Sequence, residues 1–142
     1  MEKIAYPPNY REIVKHFPAV ASSRCLFAWG EDVFNPHNMR LTPSLKAHEA
    51  IHGRRQLEYK HHLYGTGVRG WWEQYLTDPK FRLREELYAH RMEYLTAAAV
   101  DVLNRQQRRG LLKQISKKLT SPIYGFKLKG SEALRLVRDN PA

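Results

Sequence analysis

The stretch Leu45-Lys46-Ala47-His48-Glu49-Ala50-Ile51-His52 carries residue types at a spacing suited to metal chemistry. It reads His-Glu-x-x-His. In a helix, four residues are a little more than one turn, so His48 and His52 stack on one face. Two imidazoles so placed can bind one Zn²⁺, and Glu49, next along that rim, can reach a metal-bound water as general base. A catalytic zinc usually takes a third protein ligand and keeps a position for water. The compact form, with a histidine six residues after the second, fails here because that position is Glu58. The third ligand must come from a later helix. Arg82-Leu83-Arg84-Glu85-Glu86-Leu87-Tyr88-Ala89-His90 offers two carboxylates. Glu85 falls on the apolar stripe of that segment; Glu86 faces away from it with Arg82, His90 and Glu93. A buried carboxylate needs a partner, and a metal would serve either.

The elements that must position these groups follow from pattern. Thr42-Pro43 is a helix start, and the helix is expected to run to about Lys60. It would set His48, Glu49, His52 and Gln56 toward a cleft, and Ala47, Ala50, Ile51 and Leu57 toward a core. Gln56 would orient a ligand or line that cleft. Asp78-Pro79 starts a long helix, expected to continue past Val100 to Arg109. Its main apolar stripe is Phe81, Tyr88, Met92, Leu95, Ala99 and Leu103. Ahead of these, Asn9 to Phe17 predicts a short helix capped by Asn9 and stopped by Pro18. Val20 to Trp29 reads as extended. Gly30-Glu31 is a turn with Gly first, as type II′ prefers, and Asp32 to Phe34 returns as a strand ended by Asn35-Pro36. His61 to Gly70, with its adjacent His61 and His62, reads as a solvated loop, and Trp71 to Leu76 as a helical segment with core aromatics. Gly110 interrupts the pattern. Leu111, Leu112, Ile115 and Leu119 mark an amphipathic helix that Ser121-Pro122 breaks. Tyr124 to Gly130 reads as loop or short strand, and Ser131 to Arg138 as a last helical turn or two.

The fold class is therefore α+β and mainly helical. A small N-terminal antiparallel hairpin packs on the motif helix, followed by a long second helix. The 142 residues suit one domain, with a core over about 9–103 and a basic C-terminal segment over 104–142. Cys25 is the lone cysteine, which excludes an internal disulfide and Cys-based zinc sites. No apolar run approaches the roughly 20 residues of a membrane span. The N-terminus lacks the apolar core of a secretory signal, so a cytoplasmic start is expected. The net charge of +10 is uneven: Asn104 to Gly130 holds eight Lys and Arg and no acid. That segment is either a solvated face or a surface for an anionic partner, such as nucleic acid or an acidic protein.

Glu86-x-x-Ala89 resembles the Glu-x-x-Ala element on the ligand-bearing helix of gluzincin-type peptidases. There the Glu binds zinc and the Ala allows close helix packing. More broadly, Trp29-Gly30 to Asn35-Pro36, His48-Glu49-x-x-His52-x-x-x-Gln56, Trp71-Trp72-x-x-Tyr75, Asp78, Phe81-Arg82 and Glu86-x-x-Ala89 resemble a family of small phage-encoded zinc metallopeptidases. The likeness covers about residues 26 to 95. It implies a minimal zincin-like domain, with zinc held by His48, His52 and Glu86 (Glu85 being the alternative) and Glu49 as general base. It implies that the strand Leu26, Phe27, Ala28 and Trp29 pairs with an extended substrate. Some gluzincins carry Asp directly after that Ala. Here the residue is His90; the candidate donors to the oxyanion are His90, Tyr88, Tyr59 and Arg82, with His90 favoured because it lies one turn from Glu86. The implied substrates are peptides or cell-wall peptide cross-links. The implied setting is the host cytoplasm on synthesis and then a phage particle, with virion or other phage proteins as partners. Two other readings stand beside the hydrolase: a virion structural or assembly protein that keeps a metal site without turnover, and a nucleic-acid-binding module using residues 104–130.

Overall fold

The computed structural model describes residues 1–121, 124, 126 and 128–139. Among them the chain is mixed α+β and mostly helical, with six helices and a three-stranded sheet. Strand β1 (Glu2–Lys3) is followed by helix α1 (Tyr10–His16), which Pro18 stops as expected. Asn9 stands at the N-cap of α1, but its side chain makes no capping bond. Pro18–Ser22 then winds into a 3₁₀ turn, held where the Ser22 and Ser23 hydroxyls both donate to Ala19 O. Extended chain therefore begins at Phe27 and not at Val20. Strand β2 (Phe27–Trp29) and strand β3 (Asp32–Phe34) form the antiparallel hairpin, Trp29 pairing with Asp32. In its two-residue loop Gly30 takes φ +59° while Glu31 stays out of the left-handed region, which is why Gly comes first. The N-terminal strand was not foreseen. β1 pairs in parallel with β3, giving the order β1-β3-β2 and leaving β2 at an edge.

Thr42 Oγ1 accepts from Leu45 N at 3.3 Å and opens helix α2 (Pro43–Leu57). His61 to Gly70 is more ordered than a loop. β4 (Lys60–His61) pairs with β5 (Gly65–Thr66), and helix α3 (Gly67–Thr77) starts directly after. Asp78 Oδ1 accepts from Lys80 N and Phe81 N, capping helix α4 (Pro79–Val100). This helix ends short of Arg109. Val102 turns to φ +46°, and Asn104 and Gln107 form a reciprocal capping box that starts helix α5 (Arg105–Leu119). Gly110 lies inside α5 and does not interrupt it. Helix α6 (Gly130–Asp139) is the last. The expected break at Ser121-Pro122 and the loop over 124–130 fall partly outside the described residues.

The largest departure from the sequence pattern is which helix faces turn inward. On α2 the buried face is His48, Glu49, Ile51, His52, Gly53 and Gln56, whereas Ala50 and Leu57 are exposed. On α4 the buried stripe includes Arg82, Glu85, Glu86, Ala89, His90 and Glu93, and Met92 and Leu95 reach solvent. The polar stripes face each other: Arg55 of α2 pairs with Glu85, and His48 and His52 stand against Glu86 and Glu93. Apolar packing surrounds this seam. Ile13, Phe27, Phe34, Trp71, Trp72 and Phe81 form one cluster, and Leu87, Leu112, Ile115, Leu119, Ala133 and Val137 another, which docks α5 and α6 onto α4. No helix among the described residues is long and apolar enough to cross a membrane.

The hairpin rests on α2 at Gly53. A Cβ there would lie 2.1 Å from the Gly30 carbonyl oxygen, a backbone atom that cannot swing away. Gly53→Ala should therefore lower the thermal midpoint, overpacking costing about 1–3 kcal/mol. Gly110 meets nothing within 4 Å. At this helix-interior position Gly110→Ala should raise the midpoint, by roughly 0.5–1 kcal/mol of stability. Calorimetry of the two variants reads both signs.

Candidate metal centre

His48 and His52 stand one turn apart on α2, their ring centroids 4.9 Å from each other. α4 brings Glu86 to them: Oε1 lies 3.2 Å from His52 Nε2, and Oε2 lies 3.5 Å from His48 Nε2. The Tyr75 hydroxyl donates to Glu86 Oε1 at 2.5 Å. A second group overlaps the first. Glu93 Oε1 is 3.1 Å from His48 Nδ1 and 3.6 Å from His90 Nδ1, and His90 Nε2 is 3.5 Å from Glu86 Oε2. Lys118 Nζ, from α5, reaches Glu93 Oε2 at 3.1 Å. His48, His52 and Glu86 form one set of converging donors and His48, His90 and Glu93 another, each with ligand atoms within 4.8 Å of one another. These buried residues are positioned to hold a metal ion.

The polar accounting supports that occupant. Glu86 Oε2, His52 Nδ1 and both ring nitrogens of His90 are buried without a hydrogen-bond partner among the described residues. His48 Nδ1 is near Glu93 but not aligned with it as a hydrogen bond. Buried polar atoms are seldom left so. A cation amid the imidazoles and carboxylates would engage the Glu86 oxygen, and His and carboxylate donors suit zinc. Without a cation, a proton takes up the charge. Burial opposes charge on His48, but Glu86 and Glu93 overcome it and raise its pKa to about 10. Burial also opposes charge on Glu86, yet His52 and His48 hold it well below the ordinary carboxylate range. Glu93 is likewise lowered against burial, by His48 and His90. Burial lowers His90, and the charge on His48 adds to that. Burial raises Tyr75 and Tyr124 well above a normal phenol, with the Glu86 charge adding, so both stay neutral donors.

Both donor sets and Glu49 line one cavity of about 370 Å³, whose apolar wall includes Ile13, Val20, Leu26, Phe27 and Trp72. Glu49 has no hydrogen-bond or ion-pair partner among the described residues. Burial raises its pKa, the neighbouring imidazoles pulling the other way.

Several expected residues lie elsewhere. Glu85 lies outside both donor sets: Trp71 Nε1 and Arg55 Nε each donate to one of its oxygens at 2.7 Å. Gln56 does not line the cavity. Its Nε2 donates to Ala28 O at 3.0 Å and its Oε1 accepts from Gly30 N at 2.7 Å, stitching α2 to the hairpin. Of the expected substrate strand, Leu26, Phe27 and Ala28 border the cavity. Trp29 does not; it lies beneath the Arg69 guanidinium, 5.1 Å from ring centre to cation. The Ala28 carbonyl is already engaged by Gln56 and Trp72. Arg82 bonds the Tyr75 and Tyr124 carbonyls and leaves Glu86 free for the imidazoles. Missed as site residues were Glu93, Lys118, Tyr75 and Tyr124. The one signal for Glu93 was its place on the Arg82, Glu86, His90 stripe.

Comparison with family models, with curated proteins and with solved structures gave no match. The likeness to phage zinc metallopeptidases thus rests on the motif residues alone.

The two adjacent glutamates should separate cleanly. Glu86→Ala should leave less than stoichiometric zinc by elemental analysis. Glu85→Gln should keep the zinc and lose about 1–3 kcal/mol of stability, because a buried hydrogen-bonded charge is removed. Equal zinc in Glu86→Ala would shift the ligand set to His48, His90 and Glu93.

Proposed function

We propose that this chain is a zinc-dependent metallopeptidase or amidase, built as a minimal zincin-like domain and carried by a phage. The observation that carries the reading is the convergence of His48, His52 and Glu86 on one apolar cavity that also holds the unpartnered Glu49. His48 and His52 from α2 and Glu86 from α4 would hold the ion. Zinc, when bound, supplies Lewis acidity toward a carbonyl oxygen and makes water a better nucleophile near neutral pH.

The protein's own groups do the rest. Glu49 takes a proton from the attacking water and returns it to the leaving amine; its burial makes it a stronger base than a solvated carboxylate. The Tyr75 hydroxyl fixes the Glu86 carboxylate through their hydrogen bond. His90, kept neutral by burial, presents ring nitrogens without a partner and would donate to the oxyanion. Leu26 and Phe27 would border an extended peptide, and the apolar wall would receive a side chain and exclude water. Peptides and the peptide cross-links of cell walls are the substrate classes that fit this chemistry.

A second reading draws on α5. Arg105, Arg108, Arg109, Lys113 and Lys117 are all exposed there, a surface suited to nucleic acid. Reversing the charge of Arg108, Arg109 and Lys117 would abolish salt-dependent DNA affinity under that reading and leave hydrolysis untouched.

The test is hydrolysis of peptide and cell-wall substrates, inhibited by a chelator and restored by zinc. Glu49→Gln should keep stoichiometric zinc while turnover falls by about 10²–10⁴-fold, as for loss of a general base. Full turnover in that variant removes Glu49 from the mechanism.

A further inference from the structure

Glu93 and Lys118 belong neither to the His-Glu-x-x-His motif nor to the ligand set. We infer that they form a positioning relay, Lys118 to Glu93 to His48, which orients the first imidazole for the metal and makes α5 part of the centre. The inference rests on the reading of His48, His52 and Glu86 as the ligands.

An imidazole has two ring nitrogens, and one that binds metal needs an acceptor for the other to fix its tautomer and orientation. His48 directs Nε2 toward Glu86, and its Nδ1 lies 3.1 Å from Glu93 Oε1. Neither His48 Nδ1 nor His52 Nδ1 is aligned in a hydrogen bond, but Glu93 stands within reach of the first and no carboxylate among the described residues pairs with the second. The relay thus acts on one ligand of the pair. Glu93 is itself held. Its other oxygen meets Lys118 Nζ at 3.1 Å, and Lys118 is set in place by the adjacent, fully buried Leu119. The Lys118 side chain is half exposed and borders the cavity, and Glu93 is 4% exposed, so the relay runs inward from solvent.

The other use of these atoms is a second ion among His48, His90 and Glu93. Charge argues against it. Glu49, Glu86 and Glu93 against Lys118 leave two negative charges, which one divalent ion cancels and two would overshoot in a buried site. Lys118 would also face the second ion across a single carboxylate.

The experiment is a zinc titration of the full chain against a competing chromophoric chelator, with circular dichroism of each metal-free protein. The wild type should bind one equivalent. Glu93→Ala should keep one equivalent but bind it about 10–100-fold more weakly, the usual effect of losing such a partner. If Glu93→Ala is unfolded without metal, the isosteric Glu93→Gln carries the same test. Lys118→Met decides by sign. A bystander ammonium repels the cation, so its removal would tighten zinc binding; a positioning ammonium predicts several-fold weaker binding, restored by Lys118→Arg and absent in a Glu93→Ala background. Unchanged affinity in Glu93→Ala, or tighter binding in Lys118→Met, overturns the relay. So do two equivalents in the wild type with one lost on Glu93→Ala. A wild type that takes no zinc overturns the ligand set beneath it.

Discussion

Four carboxylates and three imidazoles are buried on the facing stripes of α2 and α4, and burying such groups is costly unless they are paired or hold a cation. Everything else in the fold follows from that seam. Opposite charges about 4 Å apart attract with on the order of 4 kcal/mol at an effective dielectric near 20. A fully buried Leu or Met gains roughly 1.5–3 kcal/mol. Met92, Leu95 and Leu57 are only partly exposed, so each forgoes less than that. Desolvation of each buried charge works against that attraction, so the inward turn of the stripes depends on several linked contacts acting together.

Once the stripes face each other, the surrounding elements serve to keep them in register. Glu85 and Glu86 are sequence neighbours with different surroundings. Trp71 and Arg55 hold the first, while Tyr75 holds the second within the cluster. Both partners Trp71 and Tyr75 come from α3, so the aromatic segment sets the rotation of α4 as well as filling the core. On the other side, Gln56 spans the free edge of β2, and Gly53 lets the hairpin turn sit against the helix backbone. The cavity lies between these two supports.

What the sequence disclosed was local. Thr42-Pro43, Asp78-Pro79 and Pro18 fix helix ends through their own chemistry, and Gly30 fixes the turn. The two histidines follow from spacing, whereas Glu86 is preferred over Glu85 only through the resemblance of Glu86-x-x-Ala89 to gluzincin-type peptidases. The inward faces were not legible, because period 3.6 marks a stripe without saying what it will meet. α4 carries an apolar stripe and a polar one, and only α2 chooses between them. β1 was hidden for a related reason: two residues have no period, and their pairing with β3 is set by a partner thirty-one positions away. Glu93 could be placed on the stripe of Glu86 and His90. Lys118 could not, since nothing in a run of lysines marks the one that turns inward.

That lysine changes how the charge of the chain is understood. The segment after Asn104 is basic throughout, yet its parts do different things. Leu112, Ile115 and Leu119 bury against the second apolar cluster, which fixes the rotation of α5. That rotation carries Lys118 to Glu93 and leaves Arg105, Arg108, Arg109, Lys113 and Lys117 outside. One divalent ion would then bring the buried cluster to neutrality, so the seam would add little to the field beyond the protein. The field that an approaching partner meets comes from the outer face of α5, while Lys118 on the same helix is taken up by Glu93.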